Sequence, residues 1–157
     1  MSRCVGITVG RDSVSAVLAG PGPLVSADNR VSVPAVLVVA PQVGALVGVH
    51  AERFVARGLG GVFRDFTGRV GDPVPVVGSD GSARLGADLV AMTIGSILRG
   101  YPTGRDLAHL TIAHTAGWGP YEASVLHSAL TCTEAEGMPT SLVSSPLATV
   151  NAAVSAG

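Results

Sequence analysis

The sequence predicts an α/β protein on a mixed sheet: antiparallel hairpins at the start, then β-α-β units, with helices covering the sheet. Three observations carry this. The first is Cys4 to Ala19, CVGITVGRDSVSAVLA, where apolar runs at Val5–Val9 and Val14–Ala19 flank the turn-like Gly10-Arg11-Asp12-Ser13. The second is the helical spacing of apolar residues over Gly86–Tyr101. The third is the order after it, a strand at Leu107–Thr115, a helix opening at Pro120 and a short strand at Ser141–Ser144. Parallel strands need a crossover, usually a helix, so this order joins parallel units to an antiparallel edge.

In the opening hairpin Val5, Ile7 and Val9 point one way and Cys4, Gly6 and Thr8 the other, because side chains alternate along a strand. Gly10 can take a positive φ without steric cost, so the turn can be tight and its amides can face inward, as a phosphate cradle or merely as a hairpin. Gly20-Pro21-Gly22-Pro23 breaks the chain. Arg30–Ala40, RVSVPAVLVVA, is expected to be one strand, with Pro34 at an edge, a strand start or a bulge. Ala45–Val49 is expected to be a short strand and His50–Arg57 a short helix. Gly60–Pro75 reads as loop with Phe63 and Phe66 tucked under it. Val74–Val77 and Ala83–Leu85 flank a Gly-Ser-Asp-Gly-Ser turn and predict a second hairpin.

Leu85, Leu89, Thr93, Ile97 and Tyr101 form one row of the main helix, with Val90, Ile94 and Leu98 beside it. Pro102 ends it. Pro120 suits a first helical position, and Tyr121, Val125, Leu126, Ala129 and Leu130 supply the face of the helix that follows. From Pro146 the chain is helix-compatible again, and residues 1–157 are expected to be a single unit of a longer natural chain.

Composition narrows the function. Apolar residues make up 47% of the chain but aromatics only 4%, so Val, Leu and Ala must fill the core. A net charge of −1 gives no electrostatic case for nucleic acid, which needs a basic face. All ten basic residues are arginine, so no ammonium group is on hand for catalysis. Richness in Ala, Gly, Val and Arg is common in GC-rich actinobacterial proteins. No apolar run approaches the ~20 residues of a membrane span, and Gly10-Arg11-Asp12 interrupts any signal segment; a cytoplasmic location with no membrane contact in this region is expected.

Cys4 and Cys132 are unpatterned and read as buried small hydrophobes. The four histidines form no ligand motif; His109 and His114, five apart on one strand, face opposite ways. A triad of Ser13, His114 and Asp12 can be drawn, yet no G-x-S-x-G supports it, and no G-x-x-x-x-G-K-[ST] is present. Trp118 reads as a half-buried lid over the core.

The order of elements and five collinear local matches resemble the first, N-terminal lobe of the actin, sugar-kinase and DnaK-type chaperone ATPase superfamily, whose sheet is ribonuclease-H-like. VGITVGRDSVSAV stands where that family has its phosphate hairpin, GIDLGTTNS. RVSVPAVLVV is similar to its arginine-threonine-threonine-proline-serine strand, and ALVGVHAERFVAR to its valine-glycine-then-helix segment. LTIAHTAGWGPYEASVLHSAL stands for ITVPAYF and the following helix, and LVSSPLATVNAAVSAG for NEPTAAALAYG.

The resemblance implies a site and also its losses. The family's hairpin Asp, which positions hydrated Mg²⁺, falls on Thr8, a neutral residue that attracts a divalent cation weakly. Its phosphate-contacting threonines fall near Arg11, Asp12 and Ser13, its catalytic lysine near Phe66 or Thr67, and its closing Glu on Ser145. Thr8, Gly10, Arg11, Asp12, Ser13 and Ser145 are therefore the candidate nucleotide-binding residues, with no catalytic residue and no metal ligand assigned. Phosphoryl transfer rests on electrostatic positioning, so losing three charged groups together argues against efficient ATP hydrolysis. The expectation is a degenerate DnaK-like lobe serving as a scaffold or regulatory module and similar to type VII secretion-associated proteins. Its expected partners are a second lobe of the same chain and a secretion-system protein. The alternative is an active ATP- and Mg²⁺-using chaperone-like protein completed by that second lobe.

Overall fold

The computed structural model describes residues 3–19, 30–100, 107–114, 117–133 and 135–144. A five-stranded sheet runs β10-β9-β1-β2-β3. Its strands are β1 (Arg3–Val9), β2 (Ser13–Ala19), β3 (Arg30–Pro34), β9 (Leu107–His114) and β10 (Thr140–Ser144). The β1-β2-β3 meander is antiparallel, while β9 runs parallel to both β1 and β10. This is the predicted mixed sheet.

The alternation of β1 sets the two faces. Val5, Ile7 and Val9 are buried, and their register partners Leu18, Ala16 and Val14 on β2 and Leu110 and Ile112 on β9 are buried with them. Against this face pack helices α2 (Gly86–Arg99) and α3 (Pro120–Leu130), through Leu89, Val90, Ile94 and Ile97 of the first and Leu126 and Leu130 of the second. Each fully buried aliphatic contributes roughly 1.5–3 kcal/mol, and the many Val and Ala residues make the core dense without aromatics. Tyr121, expected on the inner face of α3, is exposed: it stands in the first turn, beyond the sheet's reach. Leu85, just before α2, is likewise exposed.

Arg30–Ala40 is two strands and not one. β3 ends at Pro34, and β4 (Val36–Ala40) enters a second, three-stranded antiparallel sheet of order β5-β4-β6, with β5 at Gly44–Leu46 and β6 at Gly61–Arg64. The reason lies at the proline. The amide of Ala35 donates to the Asp12 carbonyl at 2.9 Å, so on alternation the nitrogen of Pro34 faces away from β2, where no donor is required. The chain leaves the first sheet there, on its edge strand.

β6 corrects the expectation of loop over Gly60–Pro75. Phe63 pairs with Leu37 and both are fully buried, a cross-strand apolar pair that stabilises the ladder despite its four-residue length. The strand expected at Ala45–Val49 stops at Leu46, and helix α1 (Gly48–Ala56) begins before His50. The predicted second hairpin is present as β7 (Val76–Val77) and β8 (Ala83–Arg84). The two sheets are tied through α2, where Ser96 Oγ and Arg99 Nη2 both donate to the Ala45 carbonyl, at 3.2 and 2.9 Å.

Both cysteines are exposed, against the expectation of burial. Cys4 lies on the outer side of β1, away from α2 and α3, and Cys132 lies beyond the last turn of α3. No helix among the described residues is long and apolar enough to cross a membrane. The break at Gly20–Pro23, Tyr101 and Pro102, and the helix expected from Pro146 lie outside the described residues.

Gly86 is where α2 meets the segment preceding it. A Cβ there would lie 2.5 Å from the Arg69 carbonyl oxygen, which no real contact tolerates. Gly86→Ala is therefore expected to cost about 1–3 kcal/mol although alanine favours helices. Urea denaturation should show a lowered midpoint; an unchanged or raised one would mean that the two segments separate freely.

Candidate functional site

The hairpin turn lies at the end of the sheet where β1 and β9 both finish, since Thr8 registers with Ala113 and His114 follows as the last residue of β9. α/β sites gather at the carboxyl ends of strands. The turn is fixed by three hydrogen bonds from three elements. Gly10 N–H donates to the Ser13 carbonyl at 3.0 Å, Ala35 N–H to the Asp12 carbonyl, and Thr67 Oγ1 to the Arg11 carbonyl at 3.1 Å.

Gly10 does not use the positive φ open to a glycine. Space is what demands glycine: a Cβ would meet the Ser13 carbonyl oxygen at 3.0 Å. Its amide is also committed within the hairpin, so it is not turned to a ligand as a phosphate cradle requires. Thr8, Arg11, Asp12 and Ser13 are exposed. Thr8 stands on the outer face between Ser15 and Ala113, with neutral neighbours on both strands. Ser145 lies outside the described residues.

Thr67, which with Phe66 marks where the resemblance sets a lysine, is buried against the turn. It opens a single 3-10 turn, Thr67–Arg69. Between this segment and the hairpin lies a depression of about 460 Å³, lined by Arg11, Asp65, Thr67, Gly68 and Arg69. Arg69 is held away from ligand duty: its Nε meets Asp72 Oδ2 at 2.6 Å and its Nη2 donates to the Val74 carbonyl at 3.0 Å. Asp72 also accepts from the Val74 amide at 2.8 Å. That amide first, and then Arg69, hold its carboxyl below the usual carboxylate range.

Asp65 is the residue that the sequence did not announce. It has φ 55°, the left-handed region that non-glycine residues enter at a cost, and asparagine and aspartate enter most easily. Nothing in Arg64-Asp65-Phe66 signals this, because the strain arises from the join of β6 to the 3-10 turn.

His114 and Trp118 form a second feature at the same end. The rings stack with centroids 5.0 Å apart and planes at 17°, and both are buried, Trp118 more deeply than the half-buried lid expected. Ser13 and Asp12 are exposed, and Ser13 sits on the outer side of β2 while His114 is on the core side, so the paper triad is not assembled. Among the described residues no group of three or more His, Cys, Asp or Glu could hold a metal ion.

No family model matches the sequence, and no curated protein matches it. The fold matches solved structures. One is a non-polymerising variant of MamK, an actin-like ATPase, bound to AMPPNP, with a TM-score of 0.61 and 13% identity. The match covers 93% of this chain and 42% of MamK, so the chain spans about two fifths of that protein's length. The likeness shows the fold: an α/β mixed sheet with antiparallel hairpins and covering helices.

The Arg69–Asp72 clamp makes a pH prediction. A carboxyl whose folded value is depressed adds stability above its unfolded value, and that stability is lost as pH falls through the folded one. In a carboxyl-carbon NMR titration Asp72 should titrate below the ordinary aspartate value of about 3.9. Arg69→Gln should move it part of the way back and leave the Val74 contribution. A midpoint at the ordinary value in the unaltered chain would show that the clamp is open in solution.

Proposed function

We propose that this chain is the first lobe of an actin-like ATPase fold that has lost efficient ATP hydrolysis and acts as a scaffold or regulatory module in type VII secretion. The observation that carries this is Thr8, exposed and flanked by Ser15 and Ala113 where the resemblance requires the carboxylate that positions Mg²⁺. Two others support it. Thr67, one of the two positions near which the resemblance sets the lysine, spends its proton on the Arg11 carbonyl, and the Gly10 amide is spent on Ser13. With a neutral residue for the acid and none for the base, neither the metal nor the transferring phosphoryl group meets the charge it needs. The partners this reading implies are a second lobe of the same chain and a protein of the secretion machinery.

A second reading, an ATP-using chaperone-like protein completed by its other lobe, rests on the depression beside the hairpin. There Arg11 offers a cation and Asp65 a carboxylate within one cavity. Asp65 would then stand in for the acid missing at Thr8.

Mg-ATP turnover by the full-length protein separates the two. Turnover at background, unchanged in Thr8→Ala and Asp65→Asn, is the expected result. Clear turnover that Asp65→Asn removes by a hundredfold or more, about the weight of one positioned catalytic group, would establish the second reading.

A further inference from the structure

We propose that the open edge of β3 and the groove beside it take an extended, apolar and acidic segment of a partner protein as an added strand. β3 ends the five-stranded sheet, and among the described residues no backbone group bonds to its free side. The register shows which groups are free there. Ala35 N–H donates to the Asp12 carbonyl, and the Val33–Val14 and Val31–Ala16 pairs keep that phase, so their backbone groups face β2. The N–H and C=O of Arg30 and Ser32, and the C=O of Pro34, therefore point away from β2. A guest strand laid antiparallel along this edge exchanges both backbone bonds with Ser32 and with Arg30, and donates to the Pro34 carbonyl.

Against this edge lies a groove of about 400 Å³, lined by Val31, Val33, Leu46, Val47, Val49 and Ile97. Ser32 lines it too, so the free backbone and the apolar wall form one surface. Val33 and Ile97 are buried, but Val31 is 38% and Val49 62% exposed, which leaves apolar area for a guest to cover. Opposite residues of an antiparallel pair point to one face, so the guest residues opposite Val31 and Val33 turn into the groove. Those opposite Arg30, Ser32 and Pro34 stand on the outer face.

Charge selects among apolar strands. Among the described residues the ionisable groups here are His50, in the groove wall, and Arg30, at the end of β3; neither is acidic. Arg30 is exposed and forms no ion pair among the described residues, so a carboxylate opposite it completes a cross-strand pair. The five-residue length of β3 and its Pro34 keep the edge from pairing with any strand that meets it. The groove and Arg30 then supply the choice. The site does not depend on whether the lobe hydrolyses ATP.

The probe is a fluorescein-labelled peptide, Thr-Val-Thr-Val-Glu, with an amidated end, and its binding to the full chain is read by fluorescence anisotropy. Antiparallel pairing sets its central threonine opposite Ser32 and its glutamate opposite Arg30. Proline in place of that threonine is expected to weaken binding about tenfold, since it removes a donor and blocks the pairing. Arg30→Glu should weaken binding about threefold, and lysine in place of the peptide's glutamate should restore it. Val49→Asp, at an exposed position of the groove wall, should weaken it as well. Absence of binding, or binding indifferent to the central proline, overturns the proposal. So does a full chain that sediments as a dimer and becomes monomeric on Val31→Lys, because a second copy then holds the edge. Where a variant fails to fold, the altered peptides decide on the unaltered protein: weaker binding of both the proline and the lysine peptide supports the site, and unchanged binding of either refutes it.

Discussion

The pairing of β1 with β9 is the constraint on which the rest of this molecule depends. β1 is the central strand, and only through its parallel partner do the antiparallel hairpins at the start of the chain join the β-α-β units at its end. A parallel pair so far apart in sequence closes late and at an entropic cost. What offsets that cost is the continuous apolar face that Val5, Ile7 and Val9 share with Leu110 and Ile112 under α2 and α3. The same pairing brings the hairpin turn and the end of β9 to one edge of the sheet.

At that edge the turn is finished before any ligand arrives. Three successive carbonyls, those of Arg11, Asp12 and Ser13, accept from Thr67, Ala35 and Gly10. A phosphate-binding turn points its amides outward and stays incomplete until anions fill it. Here the contacts come from the protein, from both the first sheet and the segment after β6. The hairpin therefore works as a joint between the first sheet and the segment after β6.

Much of this was visible in the sequence, for physical reasons that also mark the limits. The alternation in Cys4–Ala19 and the apolar rows of Gly86–Tyr101 are long, periodic signals, and both elements formed where expected. Pro120 opened its helix for the same kind of local reason. β6 was missed because Gly61–Arg64 is too short for period two to show, and becomes a strand only when Phe63 finds Leu37 across the ladder. The break at Pro34 was half seen: the proline was placed at an edge, but the change of sheet is decided by the Ala35 amide, a tertiary contact. Around the turn, residue identities could be read but commitments could not. That Gly10 needs space and not a positive φ, that Thr67 faces Arg11, and that Asp65 is strained all depend on what lies across a gap in the chain.

The two faces of β1 also differ in what holds their side chains. On the inner face every position is held by packing, where removing a buried side chain costs several kcal/mol. On the outer face Cys4, Gly6 and Thr8 contribute nothing to that core, so substitution there changes stability by tenths of a kcal/mol. Position 8 can therefore carry a threonine or a charged side chain without a structural penalty. What the outer face displays is decided by use alone, whereas the inner face is decided by the fold. The residues on the outer side of β1 are thus the ones that can vary without disturbing the packing under α2 and α3.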